Sequence, residues 1–305
     1  MSVRWLSYIM NNCCKSNPYF YASLTVFLWS TVATAFKIAL RDLNNIQLLL
    51  VANVTSLLVF TVIMLAQGKL KTLRKTSLSE LGLSSLQGLF NPFAYYLILF
   101  KAYSLLPAQV AQPANFVWPI VIMLLSVPLL KQPLKVSGVL ALLISFSGVL
   151  ILSTQGDLSS FKIVEPFGVG LAVLSSLVWA LFWILNLRDE RDNLVKLFLS
   201  SLFSTVYIFV LAFATGNLTP VFSKPLAAAV YVGLFEMGIT YTFWLKALQL
   251  SDSAGKISNF VYLTPFVSLV FIHFVLHEKL YFTSLVGLCL IIGGIFIGQA
   301  GGRSR

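Results

Sequence analysis

Ten acidic side chains occur in this 305-residue sequence, and one of them, Glu236, falls near the middle of a long apolar run. Asp42, Glu80, Asp157, Glu165, Asp189, Glu190, Asp192, Asp252 and Glu278 fall in loops or at the ends of such runs. A carboxyl group in apolar surroundings must be protonated, paired or hydrated, because burial disfavours its ionised form. It can therefore take up and release a proton in a working cycle. Ionised, it can pair with an ammonium group on a ligand. The plainer alternative is a structural acid hydrogen-bonded to neighbouring helices.

Helical spacing groups Glu236, Thr240 and Trp244 on one face of their run and Gln87, Asn91 and Tyr95 on one face of another. The Asn91-Pro92 pair interrupts the hydrogen-bond ladder of its own segment and frees backbone carbonyls, with a plain kink as the alternative to a binding role. Trp29, Tyr95, Trp118, Trp179, Trp183, Tyr241, Trp244 and Tyr262 occupy run-interior positions. Such rings suit an apolar or aromatic ligand, or an amine through cation–π contact, although each alone also fits packing or an interfacial anchor. Gln112, Asn115 and Asn259 are amides that could read polar ligand atoms or join helices. The candidate substrate-binding set is Glu236, Asn91, Tyr95, Trp29, Trp179, Trp183, Trp118, Tyr241, Trp244, Asn115, Asn259 and Tyr262, with Glu236 also the proton-coupling group. Enzyme chemistry is poorly supported. His273 and His277 are four apart, but Phe274 stands where a zinc-protease glutamate would follow the first histidine. No metal, cofactor or nucleic-acid partner is expected.

The elements that must carry these residues follow from composition. Hydrophobic residues make up 58% and charged residues 10%, with a mean hydropathy of +0.89. That balance excludes an ordinary soluble domain and predicts an all-α membrane protein. Apolar runs cover residues 19–40, 46–66, 81–102, 110–130, 136–153, 168–187, 194–214, 227–248, 257–276 and 283–299. Each approaches the ~20 residues a bilayer crossing requires, so ten transmembrane helices are predicted. With the N-terminus inside, Arg4, Lys15, Lys69, Lys71, Arg74, Lys75, Lys131, Lys135, Arg188, Arg191, Lys196, Lys246, Lys256, Arg303 and Arg305 collect on the cytoplasmic side. Lys37, Arg41, Lys101, Lys162, Lys224 and Lys279 fall opposite. This bias predicts a multi-pass protein of the cell (inner) membrane with both termini cytoplasmic, and it explains the net charge of +11 without nucleic acid. Three cysteines form no disulfide framework, and Cys13 and Cys14 precede the first run as an unmodified juxtamembrane pair or an acylation site.

The chain also repeats itself. Gly88-Leu89-Phe90-Asn91, ending at Lys101-Ala102, matches Gly233-Leu234-Phe235-Glu236, ending at Lys246-Ala247, each pair being 145 positions apart. Asn115-Phe116-Val117-Trp118 matches Asn259-Phe260-Val261-Tyr262, and each is followed by a proline, Pro119 and Pro265. Five spans per repeat is an odd number, so the halves insert with opposite orientations, as inverted-repeat transporters do. The expected divisions are a cytoplasmic segment (1–18), a first repeat (19–153), a linker (154–167), a second repeat (168–299) and a cytoplasmic tail (300–305).

With Trp29-Ser30 and Lys37 eight positions on, Trp179-Ala180, the segments following Ala102 and Ala247, Pro265, and Glu278 followed by Gly287 and Gly294, the chain resembles the EamA type of the drug/metabolite transporter superfamily. It departs at Ser30, where a glycine is common, and at Gln132, where an acid is often found. The resemblance implies two inverted five-helix bundles around a central cavity, working by alternating access on a small-molecule substrate within the lipid bilayer. It carries the expectation of a secondary-active exporter of amino acids or amphipathic compounds. A non-transporting membrane sensor or assembly protein on the same fold is the alternative, and oligomeric state is left open.

Overall fold

The computed structural model describes residues 17–130, 136–157, 165–218, 224–251 and 259–302, with the side chains of residues 126, 130, 187, 259 and 299–302 left out. Expectations resting on Cys13, Cys14, Gln132 or Asp252, and on most of the two terminal segments, lie outside the described residues.

Regular structure among the described residues is helical throughout. The first half holds α1 (Pro18–Ala39), α2 (Asn45–Ala66), a single turn α3 (Leu70–Leu73), α4 (Leu78–Gly88), a π-type segment (Leu89–Ala94), α5 (Tyr95–Leu105), α6 (Ala108–Asn115), α7 (Trp118–Leu130) and α8 (Val136–Ser153). The second holds α9 (Pro166–Leu187), α10 (Asn193–Ala214), α11 (Lys224–Phe235), α12 (Ile239–Leu250), a 3₁₀ turn (Asn259–Leu263), α13 (Thr264–Leu276) and α14 (Phe282–Gly302). Polar residues start several of these helices. Asn44 and Gln47 form a capping box on α2, Ser77 and Glu80 do so on α4, and the Asp192 carboxylate accepts from the backbone of Leu194 and Val195 at the start of α10.

Among the described residues, seven stretches are long and apolar enough to cross a membrane: Pro18–Ala39, Asn45–Ala66, Ala108–Leu129, Val136–Ser153, Pro166–Asn186, Asn193–Ala214 and Lys224–Leu250. Phe260–Leu276 and Phe282–Gly298 are shorter apolar helices. Leu58, Val62, Val210, Phe213 and Phe274 are each more than half exposed, the apolar outer surface of a protein solvated by lipid. This is a multi-pass membrane protein.

Each half lends its first helix to the other. α1 packs against α11, α12 and α13, while α9 packs against α5, α6 and α7. The paired Gly-Leu-Phe segments are crossing points. A Cβ on Gly88 of α4 would collide with the Ser200 carbonyl of α10, and one on Gly233 of α11 with the Ala52 carbonyl of α2. Only glycine allows backbones to approach this closely. α8 and α14 meet through Gly148 and Gly287, and Gly294 lies against Ala141 and Ser145. Gly294 and Gly298, at G-x-x-x-G spacing, pack within the chain, the second against Ala141 and Met123.

Candidate functional site

Four of the helical stretches are broken, and the breaks surround one cavity. Pro92 lacks a backbone donor and Asn91 adopts an extended conformation (φ −147°, ψ 121°), which separates α4 from α5. Gly238 (φ −114°, ψ −100°) separates α11 from α12. Phe116 and Val117 divide α6 from α7, and the 3₁₀ turn precedes α13, with Pro119 and Pro265 each at the second helical position, where a missing N–H costs nothing. Hydroxyls donate to carbonyls at or beside these breaks. Ser56 donates to the Met237 carbonyl at 2.8 Å, Ser30 to that of Thr264 at 3.1 Å, and Thr240 to that of Phe235 at 2.5 Å.

The two faces expected from helical spacing are not kept whole, although Glu236 and Trp244 do border the same cavity. Thr240 turns back onto the break beneath Glu236, and Gln87, Asn91 and Tyr95 go to three places. Gln87 donates to the Asp189 carboxylate at 3.1 Å, Asn91 borders a small inner cavity, and Tyr95 borders the main one. The physical reason is register: a π-type turn adds a residue, and each added residue rotates the remainder of the helix by about 100°.

Glu236 lies in the α11–α12 break, half-buried. Its backbone N–H keeps a bond to the Val232 carbonyl at 2.8 Å, which aims the side chain inward from the last turn of α11. The Tyr96 hydroxyl donates to Oε1 at 3.0 Å. Among the described residues the two ion pairs are Lys69–Asp192 and Arg191–Asp189, and neither involves Glu236.

The cavity beside it has a volume of about 120 Å³. Trp29, Tyr95, Asn115, Trp118, Trp179, Trp183, Glu236, Tyr241 and Trp244 from the expected set line it, together with Phe36, Gln112, Val261 and Thr264. Rings from both halves meet there. Trp29 lies 5.8 Å from Trp244 and 6.0 Å from Tyr241, while Trp179 lies 4.7 Å from Tyr95 and 6.4 Å from Tyr241. The Tyr95 hydroxyl donates to Asn115 Oδ1 at 3.2 Å, and the Asn115 amide donates to Ser175 at 2.8 Å, so Asn115 is held in place by protein. Trp29 Nε1, Trp183 Nε1, Gln112 Oε1 and Thr264 Oγ1 are buried with no hydrogen-bond partner, leaving capacity for a ligand or water.

Two expected residues are not part of this wall: Asn91 borders the smaller cavity beside Tyr241, and Tyr262 packs behind Phe116 at 6.2 Å between ring centres. The side chain of Asn259 lies outside the described ones. Tyr96 was missed. The extra residue of the π-type segment brings it onto Glu236, a rotation that the Asn91-Pro92 break could have suggested.

Comparison with known families decides what this arrangement belongs to. The EamA-like transporter family matches residues 17–154 and 166–298, two copies that cover most of the chain. The chain belongs to the EamA-like transporter family. An uncharacterized transporter of Archaeoglobus fulgidus is 25% identical over 94% of this chain and 98% of its own. The Bacillus subtilis uncharacterized transporters YvbV and YyaM are 24% and 25% identical over 68% and 74% of this chain. A solved crystal structure covering 94% of this chain and 97% of its own aligns with a TM-score of 0.64 at 20% identity, and so shares the fold.

In this EamA-family chain the charged residues close the two ends of the helix bundle. At one end Lys37 Nζ donates to the Tyr103 and Leu106 carbonyls at 2.9 Å each, capping α5, and the Glu278 carboxylate accepts from the backbone of Ala108 and Gln109 at the start of α6. At the other end Arg191 donates to both Asp189 oxygens at 2.8 and 2.6 Å and to the Glu80 carbonyl at 3.1 Å. Burial pushes the Asp189 carboxyl up, but the hydrogen bonds and charge of Arg191 outweigh it and hold the group below the usual carboxylate range. Asp192 beside Lys69 is lowered in the same balance.

Proposed function

We propose that this protein is a secondary-active exporter of small organic metabolites, amino acids or amphipathic compounds among them, driven by proton exchange at Glu236. The observation that carries the reading is the Glu236 carboxyl bordering an aromatic-walled cavity, in the middle of four broken helices. Discontinuous helices at a repeat interface are where transporters bind substrate and coupling ion. Taking α4 with α5, α6 with α7 and α11 with α12 as single spans gives ten crossings. These form two inverted five-helix repeats, residues 19–153 and 168–299, with both termini on the cytoplasmic side of the inner membrane.

The substrate amine sits against Glu236 with its apolar body between Trp29, Trp179, Tyr241 and Trp244. An ionised carboxylate and the faces of these rings favour a cation together. Protonation of Glu236 removes that attraction and releases the substrate, so proton and substrate compete for one group across the cycle.

Proteoliposomes holding the purified protein test this against a panel of labelled amino acids and amines. Accumulation of at least one compound under an imposed pH gradient, abolished by a protonophore, is the expected result. Absence of flux for the whole panel, with the protein folded and inserted, rejects it.

A further inference from the structure

Glu236 is approached from two sides. On the side away from the main cavity, Tyr96 donates to Oε1 at 3.0 Å, and Tyr96 borders a separate cavity of about 20 Å³. That volume holds one water molecule, which requires roughly 10–15 Å³ and two to four polar partners. The partners are present. Asn91 Oδ1 is buried with no hydrogen-bond partner, and Ser200, Ser201 and Tyr241 complete the polar lining. A further cavity of about 30 Å³ shares the walls Phe182, Leu197 and Tyr241 with the small one, is divided from the main cavity by the side chains of Trp183, Tyr241 and Trp244 that border both, and is lined by Asn186, Asn193 and Lys196 toward the Asp189 end of the bundle. Lys196 Nζ donates to the Asp189 carbonyl at 2.8 Å, which joins this cavity to the charged loop.

We propose that Glu236 exchanges its proton through Tyr96 and water held in these two cavities, by a route separate from the cavity that takes substrate. The proposal rests on the reading of Glu236 as the proton site. A water in the smaller cavity passes a proton to the Tyr96 hydroxyl oxygen as Tyr96 passes its own proton to Oε1. Tyr96 ends with one proton, as it began, and Glu236 becomes neutral. The water recovers its proton from the larger cavity past Leu197, so the net event is one proton moved from the loop end to the carboxylate.

The surroundings leave little else to hold that proton. Among the described residues, the titratable groups facing Glu236 are Tyr95, Tyr96 and Tyr103 on α5 and Tyr241 on α12. Packed beside them, α1 and α9 present tryptophans to the cavity and α10 presents serines. A separate proton route lets Glu236 be loaded while substrate fills the main cavity, a requirement for displacing a bound cation from the same carboxylate.

A stopped-flow jump from alkaline to mildly acidic pH on the purified full-length protein tests this, read by tryptophan fluorescence with the proton alone as probe. Wild type should show a phase that Glu236→Gln abolishes. Tyr96→Phe should slow that phase on the order of tenfold or more. Ser200→Val, which narrows the small cavity and removes a hydroxyl, should slow it likewise and stands in if Tyr96→Phe fails to fold. A wild-type rate in either folded variant overturns the separate route and leaves the proton-site reading intact. A phase that persists in Glu236→Gln overturns both.

Discussion

At Glu236 the Tyr96 hydroxyl occupies Oε1 at 3.0 Å, and the main cavity lies alongside the same residue, so one carboxyl serves two surroundings. Tyr95, one residue earlier, has its hydroxyl on Asn115 and its ring against Trp179, so neighbouring tyrosines hold different parts of the site. A second carboxylate allows a test outside the membrane-spanning segments. Asp189 is held below the usual carboxylate range, so its contribution to stability is full above the unfolded value of about 3.9 and is lost as pH falls through the lower folded value. Asp189→Asn should cost about 1–3 kcal/mol at neutral pH, because Arg191 and Gln87 lose a charged partner. Thermal unfolding in detergent checks it: the gap between variant and wild type should shrink as the pH is lowered through that acid window. A gap independent of pH contradicts the assignment.

At the scale of elements, the matched Gly-Leu-Phe segments bring α4 onto α10 and α11 onto α2 through backbone contact. Gly88→Ala and Gly233→Ala should each destabilise by about 1–3 kcal/mol, since each Cβ meets a carbonyl oxygen that cannot retreat without moving a helix. Gly82→Ala, where nothing lies within 4 Å, should be neutral or stabilising by up to about 1 kcal/mol. Equal effects at all three sites in thermal unfolding would contradict these crossings. The duplication was legible in sequence because matched motifs survive side by side, and the apolar runs because a bilayer requires them. The faces of the broken helices were not legible. Assigning Thr240 beside Glu236, or Gln87 beside Asn91, assumes 3.6 residues per turn through positions where Pro92 and Gly238 interrupt the ladder. Aromatic residues were easier to place, because Trp29, Trp179 and Trp183 stand on the unbroken helices α1 and α9. Tyr262 shows the opposite limit: the repeat pairs it with Trp118, yet only Trp118 reaches the cavity wall.

For the whole molecule, exchange of α1 and α9 between halves places the broken helices of both repeats around one cavity, with charged residues at the two ends of the bundle. The proposed orientation predicts that Ser104→Cys, at the Lys37 end, reacts with an impermeant maleimide on intact cells, in a background with the native cysteines replaced. Lys71→Cys, at the other end, should react only after permeabilisation. The reverse pattern, or labelling of both in intact cells, contradicts the topology. The most direct measurement of the central claim is the pH dependence of flux in proteoliposomes for wild type and Glu236→Gln. The account predicts that the variant folds and inserts but no longer drives net transport from a pH gradient. A variant whose gradient-driven flux and pH dependence match wild type would contradict it.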